Sequence, residues 1–548
     1  MQSEICRLKK HLGALALSLL IASSSTGIAA ADTTPTNPTD PKTPVTVSAD
    51  ALPTVQVNGV VWQQAVIGNT VYAAGKFDRA RPAGSAVGSN EVTRSNLLAY
   101  NLDTGTLQTT FVANLNAQAK TVTASPDGSR LYVGGDFSTV NGVPRRYLAA
   151  LDPVTGAPLP DFAPSPNHQV KALAATADTV YLGGSFTAVN GHSRSRLAAV
   201  TTTGGLLSAF APVVDGGAVQ AMVISPEGTR LVVGGSFTKL NGSDNPGYGL
   251  GQVDTSTGAS LDFAANSVVR NAGPQSAVLS LSSDGTTIYG TGYVYGSGGN
   301  LEGAFAANWS DTRLKWLEDC HGDSYGVSAS STAVYVAGHP HSCLNIGGFG
   351  ETTPKTFYRA VAFSQAATGT VGQNLGGSTY YNFVGNPSPS LQNWFPDINA
   401  GTYTGQSQGP WTVTAAGDYV LYGGEFTAVN STRQQGLVRF ATRGIAPNKQ
   451  GPRVTGSGFQ PTVTQLKAGV VKVSWPANWD RDTTNLTYTV YQDDVAKNTA
   501  TSPSLFWNRR TLSYTASGVT LGSHSYRVSV KDPFSNIVTS PTVSLTVV

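Results

Sequence analysis

Hydrophobic and polar positions in this chain alternate at a short period that glycine, aspartate and asparagine keep interrupting. One unit can be followed from Val170 to Phe210. Val170-Lys-Ala-Leu-Ala alternates at period two, as a strand does, and Ala177-Asp178 turns the chain. Thr179-Val-Tyr-Leu-Gly-Gly is a second strand closed by a glycine pair, and Phe186 to Arg196 is a longer loop containing Asn190-Gly191. Leu197-Ala-Ala-Val is a third strand, Thr203-Gly204-Gly205 turns again, and Leu206 to Phe210 reads as a short outer fourth strand. Four short strands with tight turns between them predict one blade of a β-propeller.

The unit repeats. Leu131-Tyr-Val-Gly-Gly-Asp-Phe-Ser-Thr-Val-Asn-Gly142 returns at Val180 to Gly191 and again at Leu231 to Gly242. A period of roughly 50 residues points to stacked or radially arranged units. Ser125-Pro-Asp-Gly128, Ser225-Pro-Glu-Gly228 and Ser283-Asp-Gly285 mark the first turn, where glycine supplies a positive φ. The glycine mark recurs at Gly75, Gly135, Gly184, Gly235, Gly292, Gly338 and Gly424, which predicts seven blades. The glycine pair is expected where backbones crowd, and the phenylalanine after it between blades. Val55 to Trp62 is expected to close the ring by pairing near Leu437 to Phe440. An arginine before the third strand (Arg94, Arg146, Arg196, Arg359, Arg433) is read as bonding within its own blade.

From about Pro452 the glycine repeat stops. Val470-Val-Lys-Val-Ser-Trp475, Leu486-Thr-Tyr-Thr-Val-Tyr491, Ser525-Tyr-Arg-Val-Ser-Val530 and Val543-Ser-Leu-Thr-Val547 alternate at period two. They predict a β-sandwich of about seven strands with Trp475 and Tyr526 in its core. Asp480-Arg-Asp482 is read as a solvated loop, two carboxylates being few for calcium.

Composition agrees with an all-β chain: 548 residues, 61 of them glycine, with only 12% charged. The net charge of +3 and the lack of a basic face argue against nucleic acid as a partner. Arg7, Lys9 and Lys10, the apolar run Leu12 to Ala22 and Ala29-Ala30-Ala31 read as a signal peptide over 1–31. That implies a secreted, extracellular protein, with cell-wall association a further option and no transmembrane segment after cleavage. A Thr/Pro-rich linker over 32–50, a propeller over 51–445, a linker over 446–457 and a sandwich over 458–548 complete the predicted layout. Beyond Cys6, within the signal, only Cys320 and Cys343 remain, and a disulfide is expected, with free thiols or a metal pair as alternatives.

Chemistry is expected where the repeat fails. Asp319-Cys-His-Gly-Asp-Ser-Tyr325 and Gly338-His-Pro-His-Ser-Cys343 gather His321, His339, His341 and Asp323 beside the cysteines. Such a group suits a transition metal, acid–base chemistry or a polar ligand; alternatively it is a pinned loop with capping histidines. The insertion Gly369 to Gly409 and the residues just after it carry Tyr380, Tyr381, Trp394, Phe395, Tyr403 and Trp411 among amides. That is either a platform for sugars or a self-packed lid.

The mark Gly-Gly-x-Phe-x-x-Val-Asn-Gly, with Leu148-Ala-Ala-Leu-Asp-Pro-Val-Thr-Gly156 and Phe162, resembles the kelch blade. It is closer still to the delta-60 type repeat of exported bacterial, actinobacterial-type proteins. The tail, through Leu521-Gly-Ser-His-Ser-Tyr526, resembles a fibronectin type III module. The pairing of domains is also similar to galactose oxidase, but there is no Tyr-His pair here and the expected disulfide would consume both cysteines, so the resemblance supports the fold and argues against that copper chemistry. The chain therefore reads as a seven-bladed β-propeller followed by an immunoglobulin/fibronectin-like sandwich. Its expected role is binding or adhesion to carbohydrate or a cell-surface polymer, with no cofactor required. The alternative is a metal-dependent oxidase or a polysaccharide hydrolase or lyase built on the histidine cluster.

Overall fold

A computed structural model of the chain describes residues 40–375 and 380–548. The expected signal peptide and the start of the Thr/Pro-rich linker lie outside the described residues. The fold is all-β and propeller-like, made of many small antiparallel sheets.

Seven of these sheets, among the described residues, follow the repeat. Their first strands are Val60–Ile67, Ala119–Ala124, Val170–Ala175, Val219–Ile224, Ser276–Ser283, Ser324–Ala329 and Pro410–Ala416. Each packs beside the next, and the seventh returns to pack beside the first. The second strands (Leu131–Gly135, Thr179–Gly184 and Tyr419–Gly424 among them) are buried along their whole length. Neighbouring sheets cover both of their faces, which is why they read as continuous apolar runs rather than alternating ones. The apolar clusters accordingly lie between successive sheets, with Phe77, Phe137, Phe186, Phe237 and Phe426 buried at the seams.

Local chemistry sets the turns. The Gly128 and Gly228 N–H groups donate to the carbonyls of Ser125 and Ser225, with φ of 70° and 75°. The residue before the third strand also holds a positive φ at Asn96, Tyr147, Arg196, Gly249 and Gly436. Of the five arginines expected to bond within their own repeat, Arg94 does so, to Thr93 O and Thr109 O, whereas Arg196 donates to Val214 O of the next unit. In the second and third sheets that local role falls to Arg145 and Arg194, which donate to Pro144 O and Ser193 O.

Two expectations need correction. Among the described residues an outer fourth strand forms only in the fourth and fifth sheets, at Ser260–Leu261 and Leu314–Glu318. Elsewhere it shrinks to a single bridge, such as Val200 with Leu206 or Leu151 with Pro158, whose proline has no N–H to extend the ladder. Pairing with the last sheet comes from residues 48–57 rather than 55–62. Ser48 and Leu52 donate to Ala441 and Arg439, and Val57 to Gln435. The end of the Thr/Pro-rich segment is thus packed, with Val47 N–H bonded to the Tyr335 hydroxyl.

The tail forms a three-stranded and a five-stranded sheet around one core containing Trp475, Tyr488 and Tyr526. The loop at Asp480-Arg-Asp482 is buried, not solvated: Asp482 accepts from Ser48 and Ala49 and pairs with Arg443 at 3.1 Å. Burial, with Asp482 beside it, raises the Asp480 carboxyl to about 8. Phe506 and Trp507 of the tail pack on Phe349 and Phe395.

Candidate functional site

One irregularity recurs in all seven repeat sheets. The pairing of the first strand with the second slips by one residue, between Val61/Gln63, Ala119/Thr121, Val170/Ala172, Val219/Ala221, Val278/Ser280, Ser324/Gly326 and Pro410/Thr412. Such a bulge leaves one residue unpaired and re-aims its side chain. The residues released are Trp62, Lys120, Lys171, Gln220, Leu279, Tyr325 and Trp411. All seven line one cavity of about 300 Å³, together with Gln118 and Gln169. Beneath it the first strands of all seven sheets line a second space of about 250 Å³.

The glycine marks explain the bulges. Gly75, Gly135, Gly184, Gly235, Gly292, Gly338 and Gly424 are the partners of the residue just before each slip, or of its neighbour. A Cβ on Gly135 would collide with Gln118 O and one on Gly184 with Gln169 O. The first glycine of the pair meets the next sheet: a Cβ on Gly134 would lie 2.7 Å from Val170 Cγ1. The pair therefore permits both the bulge and the close approach of neighbouring sheets.

The ring is asymmetric. On one side Trp62, Trp411 and Tyr325 form a run of aromatics, with centroid distances of 5.3 and 4.4 Å. Trp62 Nε1 donates to Gln118, whose amide donates to Asp136. On the other side stand Lys120 and Lys171. Lys120 Nζ lies 4.2 Å from the Trp62 ring. Burial lowers Lys120 to about 8 against the pull of Asp136, with Lys171 and Lys76 adding repulsion. Burial likewise lowers Lys171, opposed by Asp136.

Behind Tyr325 lies the histidine and carboxyl group. Cys320 and Cys343 form the expected disulfide. The Asp323 backbone N–H donates to His339 Nε2 at 3.3 Å, so the proton of the neutral ring is on Nδ1. Nδ1 faces Gln408 Oε1 at 2.9 Å and the Tyr325 oxygen at 3.1 Å, and the Tyr325 hydroxyl points to Asp323 Oδ2 at 3.4 Å. Burial holds His339 and His321 near 4 and lowers His341. Burial also raises Asp323 to about 6, and Glu302 and Asp319 to about 7 and 8 with help from neighbouring carboxyls. Burial thus favours the neutral imidazoles and keeps the proton on Asp319 at neutral pH, while Asp323 is ionised there. His339 is hydrogen-bonded at both nitrogens, whereas His321 Nε2 and His341 Nδ1 make no well-aligned hydrogen bond.

The structure sorts the residues expected from sequence. His321 and His341 face each other at 6.2 Å, and Tyr380 stacks on His321 at 3.8 Å. His341 Nδ1 is 2.8 Å from Glu351, but its alignment is poor for a hydrogen bond. Among the described residues no three His, Cys, Asp or Glu side chains are grouped to hold a metal ion. Both nitrogens of His339 are already engaged, so its ring has no free lone pair for one. Trp394 and Phe395 are not a ligand platform. Trp394 is fully buried against Tyr335 and Phe440, and Phe395 lies under Phe506 and Trp507. Tyr381 and Tyr403 are exposed, at 57% and 46%. Of the expected aromatics, Trp411 alone reaches the channel mouth. The other six ring residues were missed, although each stands thirteen or fifteen positions before the second glycine of its unit.

Residues 126–157 match the family model described as a domain of unknown function (DUF5122) beta-propeller. That stretch spans the turn, glycine-pair strand, loop and third strand of the second sheet. No curated protein matches the chain. Among solved structures, a chain of the mitotic checkpoint complex covers 79% of this chain and 99% of its own, at 12% identity and a TM-score of 0.39. The WD40 beta propeller domain of Doa1 covers 72% and 96%, at 9% identity and 0.37. At these scores the likeness carries no argument about function.

Proposed function

We propose that this chain is a secreted, extracellular binding protein: a seven-bladed β-propeller over 51–445 of the delta-60 repeat type, joined through 446–457 to a fibronectin-like sandwich. Its ligand is a carbohydrate or cell-surface polymer, held at the channel mouth. The observation that carries this reading is the ring of seven bulge side chains, whose apolar platform (Trp62, Trp411, Tyr325) shares the cavity with amides, Gln220 of the ring and the adjoining Gln118 and Gln169. Sugars ask for that pairing of a flat apolar face with directed hydrogen bonds. The leader-like N-terminus and the disulfide support export. A glycan array probed with the mature protein tests the reading. Binding is expected for wild type and is expected to be lost in Trp62→Ala/Trp411→Ala. A blank array, or hits indifferent to both changes, contradicts it.

A polysaccharide hydrolase or lyase is the second reading. It is favoured by Tyr325, which belongs to the ring and touches both His339 and Asp323. Burial and the Asp323 carboxyl push the Tyr325 hydroxyl upward, so it would donate a proton rather than take one. Turnover of any glycan that binds, abolished in Tyr325→Phe, would move the protein into that class.

A further inference from the structure

Resting on the carbohydrate reading above, the geometry points to a more specific ligand: we propose that the channel mouth takes an acidic sugar, its ring against Trp62 and Trp411 and its anionic group between Lys120 and Lys171. The two lysines are the bulge residues of adjacent first strands, so the backbone places both at the same depth and on the same side of the opening. No carboxylate is among the residues lining either cavity. Among the described residues neither lysine has an ion-pair partner within 4 Å. Asp136 is the one nearby carboxylate acting on both, and it is shared with the Gln118 amide. Lys76 adds a third positive charge acting on Lys120. Two lysines sharing one carboxylate, with Lys76 near enough to repel Lys120, leave a surplus of positive charge at a partly desolvated mouth.

That surplus opposes folding, as burial and mutual repulsion do for any pair of like charges. It is relieved when a ligand brings a negative charge between them. The adjoining aromatic face excludes a bare inorganic anion as the best fit, because Trp62 and Trp411 would then be left without an apolar partner. The mouth is at the small end of ligand pockets, which run from ~300 to ~1,000 Å³. It therefore suits one charged sugar unit, such as a chain end, rather than a long stretch of polymer. A carboxylate and a sulfate share the chemistry required, and the experiment separates them.

Calorimetric titration of the mature full chain with three trisaccharides tests the proposal: galacturonic acid, its neutral galactose counterpart and a sulfated galactose trimer. At least one acidic trimer is expected to bind tenfold or more tightly than the neutral one, and the tighter of the two names the anionic group. Lys120→Met/Lys171→Met is expected to remove that preference, and Lys120→Arg/Lys171→Arg to keep most of it. Equal binding of acidic and neutral trimers, or a preference that survives the methionine changes, overturns the proposal and leaves the carbohydrate reading standing. No binding of any trimer, with a blank glycan array, defeats both.

Discussion

Lys120→Met should make the protein more stable while removing part of its binding site. Methionine keeps an unbranched apolar stem and deletes the charge. The fall of Lys120 from 10.5 to about 8 states the cost of holding that charge in the folded protein. At ~1.36 kcal/mol per pH unit the upper bound is ~3.4 kcal/mol. Lys120 is only partly buried, so solvent screening reduces this to about 1–2 kcal/mol, and the loss of its contact with the Trp62 ring reduces it further by about 0.5–1 kcal/mol. The sign follows from linkage. Below pH 8 the lysine is charged in both states and the folded protein bears the whole cost. Between about 8 and 10.5 the folded state has lost its proton while the unfolded state retains it, so wild type regains stability as pH rises. Urea unfolding at pH 7 and pH 10.5 reads the effect directly. The variant should exceed wild type by up to about 1.5 kcal/mol at pH 7, and the difference should shrink toward pH 10.5. A variant less stable than wild type at pH 7, or a gap that does not change with pH, would refute the reasoning.

Gly184→Ala places a methyl against Gln169 O at the bulge that presents Lys171; it should destabilise by about 1–3 kcal/mol in urea unfolding and weaken ligand binding more than its stability loss explains. Trp394→Ala should cost about 3–5 kcal/mol without changing affinity per folded molecule, because the ring is core, whereas Tyr381→Ala should change stability little. Asp319 is raised to about 8 by burial, so the folded state holds its proton while the unfolded state has released it. Stability should therefore fall as pH rises from about 4 to 8, a fall to which the buried Glu302 and Asp480 carboxyls contribute as well; it should be shallower in Asp319→Asn than in wild type, and the difference between the two curves reads Asp319 alone.

Much of the architecture was legible because it is local and repeated. The seven glycine marks correspond to seven sheets, and the tail strands begin where the glycine repeat stops. Their meaning was only half legible. Gly135 and Gly184 were expected to relieve crowding, and they do, but what they accommodate is a bulge whose released side chain faces the cavity. A bulge is one unpaired residue, and nothing in the alternation of Ala119-Lys-Thr-Val marks which residue is extra. The insertion misled for a different reason. Whether Trp394 or Phe395 is a platform or core depends on what covers it, and the covers are Tyr335, Phe440, Phe506 and Trp507, from 46 to 112 positions away along the chain. The histidines do lie beside the disulfide, but His339 is engaged at both nitrogens, by the Asp323 N–H and Gln408, and among the described residues no three His, Cys, Asp or Glu side chains are grouped to hold a metal ion.

Hydrogen exchange of the mature protein, with and without the galacturonic acid trimer, tests most directly whether the bulge ring is the ligand site. Protection is predicted at residues 118–122, 169–173 and 411–414, on strands that share the mouth. Protection confined instead to 380–408, around Tyr381 and Tyr403, or to the tail, would contradict it.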